Sequence, residues 1–196
     1  QNAYLDAKIG FDPAENEPSK VCNALLDAVR GFKQFYPIIE SLCHPAIEPR
    51  HWYELFDEMN VDDPGDIQDI LLSQLVQMGV MEHVDKLEEI AAGAQKEYSL
   101  RHAIYGMKEE WKAMSFETLP HKDTGTYLLK GIDDVQTLLD DHIVKTQGIR
   151  SSPFCKPFEE EVHKWEATLL YIQDFVDQTL LVQRTWQQLE PIFVSD

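Results

Sequence analysis

From Pro157 to Phe193 the sequence reads PFEEEVHKWEATLLYIQDFVDQTLLVQRTWQQLEPIF. Phe158, Val162, Trp165, Leu169, Ile172, Val176, Leu180 and Trp186 recur at helical spacing, with Gln183 as a single polar interruption. Steps of three and four residues define one face of an α-helix. Pro157 suits a first helical turn, and Glu159, Glu160 and Glu161 put negative charge near the positive end of the helix dipole. Pro191 predicts a stop or a kink around Glu190. About thirty-four residues at ~1.5 Å each make a rod of roughly 50 Å, longer than a small domain is wide. Such a helix serves as a beam more readily than as the wall of a pocket.

The rest of the chain must supply a core for that beam, and 196 residues are enough for one large or two small domains. Seventeen basic against thirty-five acidic residues leave a net charge of −18. A surface of that sign repels nucleic acid and anionic membrane, so neither is expected as a partner. Cys22, Cys43 and Cys155 are odd in number and widely spaced, without a C-x-x-C pair. That pattern predicts neither a disulfide framework nor a zinc site, and fits a reducing compartment. No apolar run approaches the ~18 residues needed to span a bilayer. The chain opens with Gln1 and closes at Asp196 just after an apolar element, so both ends are expected to continue into something longer.

Read in order, residues 1–18 hold Gly10, Pro13 and Pro18 with little periodicity and are expected to be a lead-in loop or linker, with a short strand around Tyr4–Ile9. Ser19 is the predicted N-cap of a helix through Val21, Leu25, Val29 and Phe32, which Pro37 divides from Ile38–Leu42. Pro49 precedes a short amphipathic helix over Arg50–Met59, and Val61–Asp66 is a turn. Helices are then predicted over Ile67–Met78 and Val80–Tyr98, separated at Gly79. Val80, Val84, Leu87, Ala91 and Ala94 step 4-3-4-3, and Leu100, Ile104, Met107, Trp111 and Met114 repeat the steps. Two matched stripes predict an antiparallel helix pair.

The period then changes. Ser115–Pro120, His121–Gly125 and Thr126–Gly131 read as strand, turn and strand, with Pro120 confining the first arm to a sheet edge. Helix resumes through Ile132, Val135, Leu138, Leu139, His142 and Ile143 to about Gly148. The expected organisation is therefore a lead-in over 1–18, a first helical bundle over 19–114, a hairpin over 115–131, and a second bundle over 132–196. The fold class is mainly α, as elongated antiparallel helical bundles with one inserted β-hairpin.

A search for chemistry is mainly negative. The chain holds no G-x-x-x-x-G-K-[ST], G-x-G-x-x-G, H-E-x-x-H or EF-hand pattern. Asp62-Asp63-Pro64-Gly65-Asp66 lacks the ligand spacing and distal Glu that calcium needs. His142 follows Asp140 and Asp141, but adjacent helical residues do not face one another, so a solvated or cap-like histidine is expected. His51 and His163 fit helix-surface or packing roles, Glu159–Glu161 a solvated first turn, and Trp52, Trp111, Trp165 and Trp186 core packing on apolar stripes. No catalytic, cofactor-binding or metal-binding residue is assigned, and the chain is not expected to be an enzyme by itself.

Several segments carry a more specific signal. They are Arg50-His51-Trp52 with Leu55, Glu89-Ile90 with Ala94 and Lys96-Glu97, the Trp111 helix, and Lys122-Asp123-Thr124-Gly125. Further on come Leu138–Gln147 (LLDDHIVKTQ), Ser152-Pro153-Phe154, Trp165-Glu166 with Leu169, Val182-Gln183 with Trp186, and Leu189–Phe193. In this order, over about residues 25–196, the set resembles the N-terminal part of the linker of dynein heavy chains. HKDTGTYLLKG and LLDDHIVKTQ are more similar to axonemal than to cytoplasmic forms, while Thr179, Gln187-Gln188 and Gly148-Ile149 depart from the family's wording.

The resemblance implies a mechanical element. A linker of helical bundles lies across a ring of AAA+ modules and bends and straightens as the ring turns over ATP, displacing the tail relative to the microtubule-bound stalk. ATP and Mg then belong to the downstream ring, and no cofactor is expected in these residues. The implied partners are the AAA+ ring and remaining linker of the same heavy chain, and other dynein subunits through the tail. Acidity argues against direct contact with the acidic face of a microtubule. The implied location is the cytoskeleton, in a ciliary or flagellar axoneme. Trp165, Leu169, Ile172 and Val176 would stiffen the rod, and the hairpin would be a docking or hinge element. An acidic interaction module for a basic accessory chain or docking protein is the alternative, and a helical enzyme using carboxylates is a third reading.

Overall fold

The computed structural model of the chain describes residues 17–62 and 64–194. The expected strand around Tyr4–Ile9 lies outside the described residues, as does most of the lead-in. Among the described residues the fold is mainly α, with seven helices and one antiparallel hairpin, as the periodicities predict. Two compact units are formed, Gln1–Ala94 and Gln95–Asp196.

In the first unit, α1 (Glu17–Lys33), α2 (Tyr36–Leu42), α3 (Pro49–Glu58) and α4 (Leu72–Gln77) precede the start of α5 (Val84–Ala113). Helix α1 begins two residues before Ser19, so Ser19 lies inside the helix and is not its N-cap. Pro18 explains the earlier start, since a proline's missing N–H costs nothing in a first turn. Pro37 separates α1 from α2 as expected and occupies the first turn of α2. Pro49 does the same for α3, where the Glu48 backbone N–H donates to His51 Nδ1 at 2.9 Å. His51 is thus a buried capping group, in keeping with a packing role.

The predicted helix over Ile67–Met78 is interrupted. A 3-10 turn over Ile67–Asp69, capped by Asp66, is followed by extended backbone at Ile70 and Leu71 before α4 begins. Asp66 accepts from Gln68 N–H, and Gln74 Oε1 accepts from Leu71 N–H. These local side-chain acceptors compete with helical hydrogen bonding. Gly79, at φ +92°, separates α4 from the 3-10 turn Val80–Glu82, a left-handed conformation that glycine adopts without a Cβ clash. Around these elements Ile38, Leu55, Phe56, Met59, Leu75, Val80, Leu87 and Ile90 form the core.

The second unit contains the rest of α5, strands β1 (Glu117–His121) and β2 (Thr126–Lys130), α6 (Ile132–Arg150), a 3-10 turn over Pro153–Phe158, and α7 (Glu159–Val194). The predicted antiparallel pair over Val80–Tyr98 and Leu100–Met114 is instead the one 30-residue helix α5. The two 4-3 stripes are joined by Ala94, Glu97 and Leu100, two steps of three that keep these residues buried or half-buried without a break. Periodicity carried straight through, and no proline intervenes to end it. Helix α5 supplies Leu87 and Ile90 to the first core and Ile104 and Met107 to the second.

Helix α6 packs along α7. Their shared core holds Leu139, Ile143, Ile149, Val162, Trp165 and Leu169 with Ile104 and Met107 of α5. Pro157 falls within the 3-10 turn, and α7 starts two residues later. The helix runs 36 residues, ~54 Å at 1.5 Å each. It does not stop or break at Glu190: Pro191 lies inside it and the helix continues to Val194. A proline removes one i→i−4 bond, and here the preceding residue, Glu190, is buried and held from outside the helix.

Candidate functional site

The only strands among the described residues pair with the register Glu117↔Lys130, Thr118↔Leu129, Leu119↔Leu128, Pro120↔Tyr127 and His121↔Thr126. The loop Lys122–Gly125 closes them, with Lys122 at φ +49° and Gly125 at φ +70°. Left-handed backbone is ordinary for glycine and unfavourable for lysine. Neither strand contains a buried residue, and neither contributes to a core. A two-stranded hairpin is marginal in water by itself, so something else must hold this one.

Two residues of α7 do so. Gln183 uses both ends of its amide: Oε1 accepts from Leu129 N–H at 2.7 Å, and Nε2 donates to Leu129 O at 3.1 Å. Glu190 accepts from His121 Nε2 and from Lys122 Nζ, each at 2.8 Å. Seven residues separate Gln183 from Glu190, two helical turns, so both lie on one face. The polar interruption in the apolar stripe is therefore the residue that satisfies Leu129 on the outer edge of β2.

The same contact accounts for Pro120. Leu129 directs its backbone polar groups at Gln183, so Leu129 and Thr118 form a pair that does not bond across the ladder. Antiparallel pairs alternate in type, which places the Pro120–Tyr127 pair in the same setting. The absent N–H of Pro120 then faces away from β2 and costs no ladder bond, and it blunts the free edge of β1 against pairing with another strand.

Glu190 is only 5 % exposed. Hydrogen bonds from Lys122 first, then His121, hold its carboxyl below the ordinary glutamate value of 4.5. Folding lowers this pKa, so the stabilisation is fully present above 4.5 and is lost as the pH falls through the lowered value. Acid titration followed by amide exchange should show the hairpin amides losing protection in that window, below pH 4.5.

The four residues named for the rod all lie on α7. Trp165, Leu169 and Val176 are buried, and Ile172 packs half-buried against the same core as Trp165 and Leu169. The ring of Trp165 lies under Lys108 Nζ at 5.8 Å, and its buried indole N–H has no hydrogen-bond partner among the described residues. Trp186 is 48 % exposed, so it is not a core residue. It stands three residues beyond Gln183 on the clamp face.

His142 is a second correction. It is 1 % exposed, not solvated. Trp111 Nε1–H can only donate, and at 3.0 Å it fixes His142 Nδ1 as acceptor. The ring proton is then on Nε2, 3.3 Å from Glu110. The sequence signal was its place on the stripe with Val135, Leu139 and Ile143, which outweighed its acidic neighbours. A missed ion pair joins Arg150 Nη1 to buried Glu166 at 2.7 Å. Of the acidic first turn of α7, Glu161 accepts from Lys108 at 2.7 Å and pairs more distantly with Arg101. Cys155 is buried, which pushes its thiol pKa up, while Cys22 and Cys43 are exposed. Among the described residues no group of three or more His, Cys, Asp or Glu is placed to hold a metal ion.

Among the described residues, then, a long helix serves two cores, a terminal helix is paired with α6, and a hairpin is clamped upon that terminal helix. Comparison with known proteins gives this arrangement a family. Residues 6–196 match the family described as dynein heavy chain, N-terminal region 2. The chain is 40 % identical over 179 residues to dynein axonemal heavy chain 3 of Homo sapiens, covering 91 % of this chain and 4 % of that protein. It is 37 % identical over 168 residues to dynein axonemal heavy chain 1 of Mus musculus, covering 86 % of this chain and 4 % of that protein. It is 40 % identical over 157 residues to dynein axonemal heavy chain 12 of Rattus norvegicus, covering 80 % of this chain and 5 % of that protein. The chain belongs to the dynein heavy chains, in their N-terminal region, and is of the axonemal type. It spans about a twentieth of the length of these relatives.

Proposed function

We propose that these residues form part of a mechanical linker of an axonemal dynein heavy chain, passing ATP-driven changes of an AAA+ ring to the tail. The observation that carries this reading is α5, one continuous helix that supplies buried side chains to both cores. A helix carries load along its axis through hydrogen bonds in series, and tertiary packing at both ends keeps it formed. On this reading ATP and Mg act in the ring of the same heavy chain, which with the remaining linker and the tail-bound dynein subunits makes up the partners. The hairpin is a docking or hinge element, and the work is done in a ciliary or flagellar axoneme.

The test is to interrupt α5 within an intact heavy chain and to follow ATP turnover and microtubule gliding together. The linker reading expects turnover to persist and gliding to slow; unchanged gliding would remove it. A second reading, an acidic module that binds a basic partner, is favoured by α1. That helix leaves Val21, Leu25, Val29 and Phe32 exposed on a chain of charge −18. Salt-sensitive co-purification of a basic protein with the 196-residue chain would support it.

A further inference from the structure

We propose that the hairpin is a detachable arm, latched to α7 by Gln183 and Glu190, and that it can leave its seat while both cores stay folded. This deepens the linker reading's docking or hinge role, but the latch stands on contacts within this chain and can be tested without a motor.

Three observations carry it. The hairpin contributes no buried residue and none packed against either core, so its departure takes no side chain out of a core. Its attachments to α7 described above are polar and few: two backbone groups of Leu129 on one amide, and two side chains on one carboxylate. Such contacts exchange for water at small net cost, unlike buried apolar ones. Finally, Lys122 holds a left-handed backbone conformation while its ammonium reaches Glu190. The same loop residue thus joins the turn of the hairpin to its seat on α7, which couples seat and loop in a two-position element.

The docked arm is held at both ends of the stretch of α7 from Gln183 to Glu190. Trp186 lies in that stretch, between Gln183 and Glu190 in the helical order, and is about half exposed. Release would change the setting of Trp186 and of the outward residues Leu119 and Tyr127, giving α7 a second surface state. Which state a partner meets would then depend on two side chains, not on refolding of a bundle.

Native-state hydrogen exchange on the 196-residue chain reads this directly. In the unaltered protein, amides of residues 117–130 should exchange at least ~10-fold faster than those of residues 100–111 and 162–172. Combining Gln183→Ala with Glu190→Ala should raise exchange at Leu129 and across the hairpin by a further ~10-fold, with the core segments unchanged. Lys122→Glu should release the arm, and pairing it with Glu190→Lys should restore protection in part. Hairpin and core amides exchanging at one common rate in the unaltered chain would overturn the proposal, because the arm would then belong to the cooperative core. So would hairpin protection that survives loss of both clamp residues. Neither outcome depends on the mechanical reading, whose own failure would appear only in gliding assays.

Discussion

Replacing Leu169 by alanine is expected to destabilise the second unit by about 2–5 kcal/mol, the range for truncating a fully buried leucine. Leu169 is 0 % exposed and sits among Ile104, Met107, Leu139, Ile143 and Val162 on three helices. Three lining helices restrict how far the site can collapse, so the cavity term adds to the lost transfer energy. At ~2–4 °C per kcal/mol for a chain of this size, the loss is readily visible in thermal unfolding. Leu170→Ala is the matched control. Its neighbouring side chain is 42 % exposed, so the same chemical change one residue along should cost well under half as much. Equal effects at the two positions would mean that the helical phase of α7 is wrong.

His142→Ala is the second large effect. It removes the acceptor for Trp111 Nε1–H and opens a void where a side chain 1 % exposed had been. An unpaired, largely buried donor costs ~1–3 kcal/mol, and the void adds to that. Glu110→Ala, which deletes a partner whose side chain is 61 % exposed, should cost much less. Urea unfolding supplies the stabilities, and near-ultraviolet circular dichroism of the indole reports whether Trp111 has lost its fixed setting. A His142→Ala variant as stable as the parent, with an unchanged Trp111 signal, would contradict the buried pairing.

These two positions show what sequence reasoning could reach. Leu169 was legible because its neighbours at −4 and +3, Trp165 and Ile172, are apolar, and spacing alone fixes the buried face. His142 lay on a stripe of the same quality, but its acidic neighbours argued for solvent, and its satisfying partner is 31 residues away. No local pattern announces such a partner. Gln183 failed in the same way: it looked like an interruption until the strand it serves, 54 residues earlier, was in view. The hairpin itself was readable from its change of period. Its means of attachment was not, because hydrogen bonds to backbone leave no trace in side-chain patterning.

The matched stripes of α5 illustrate a different limit. Periodicity reports which face is buried, not whether two stripes lie on one helix or two. Absence of a proline between Ala94 and Leu100 was the better guide, and the half-buried Glu97 supplied the bridging step. Pro191 taught the converse. The helix continues past this proline to Val194, with the preceding Glu190 held from outside by His121 and Lys122.

The most direct test of the mechanical account replaces residues 95–98, midway along α5, by Gly-Gly-Ser-Gly in the intact heavy chain, with a four-alanine replacement as the control. Glycine at ~1 kcal/mol per residue against alanine melts the segment locally, whereas alanine keeps it helical. Microtubule gliding velocity is measured beside ATP turnover for both. The account predicts gliding slowed at least ~10-fold by the glycine run and nearly normal with alanine, while both retain ATP turnover. Gliding at the parent's velocity with the glycine run in place would contradict it.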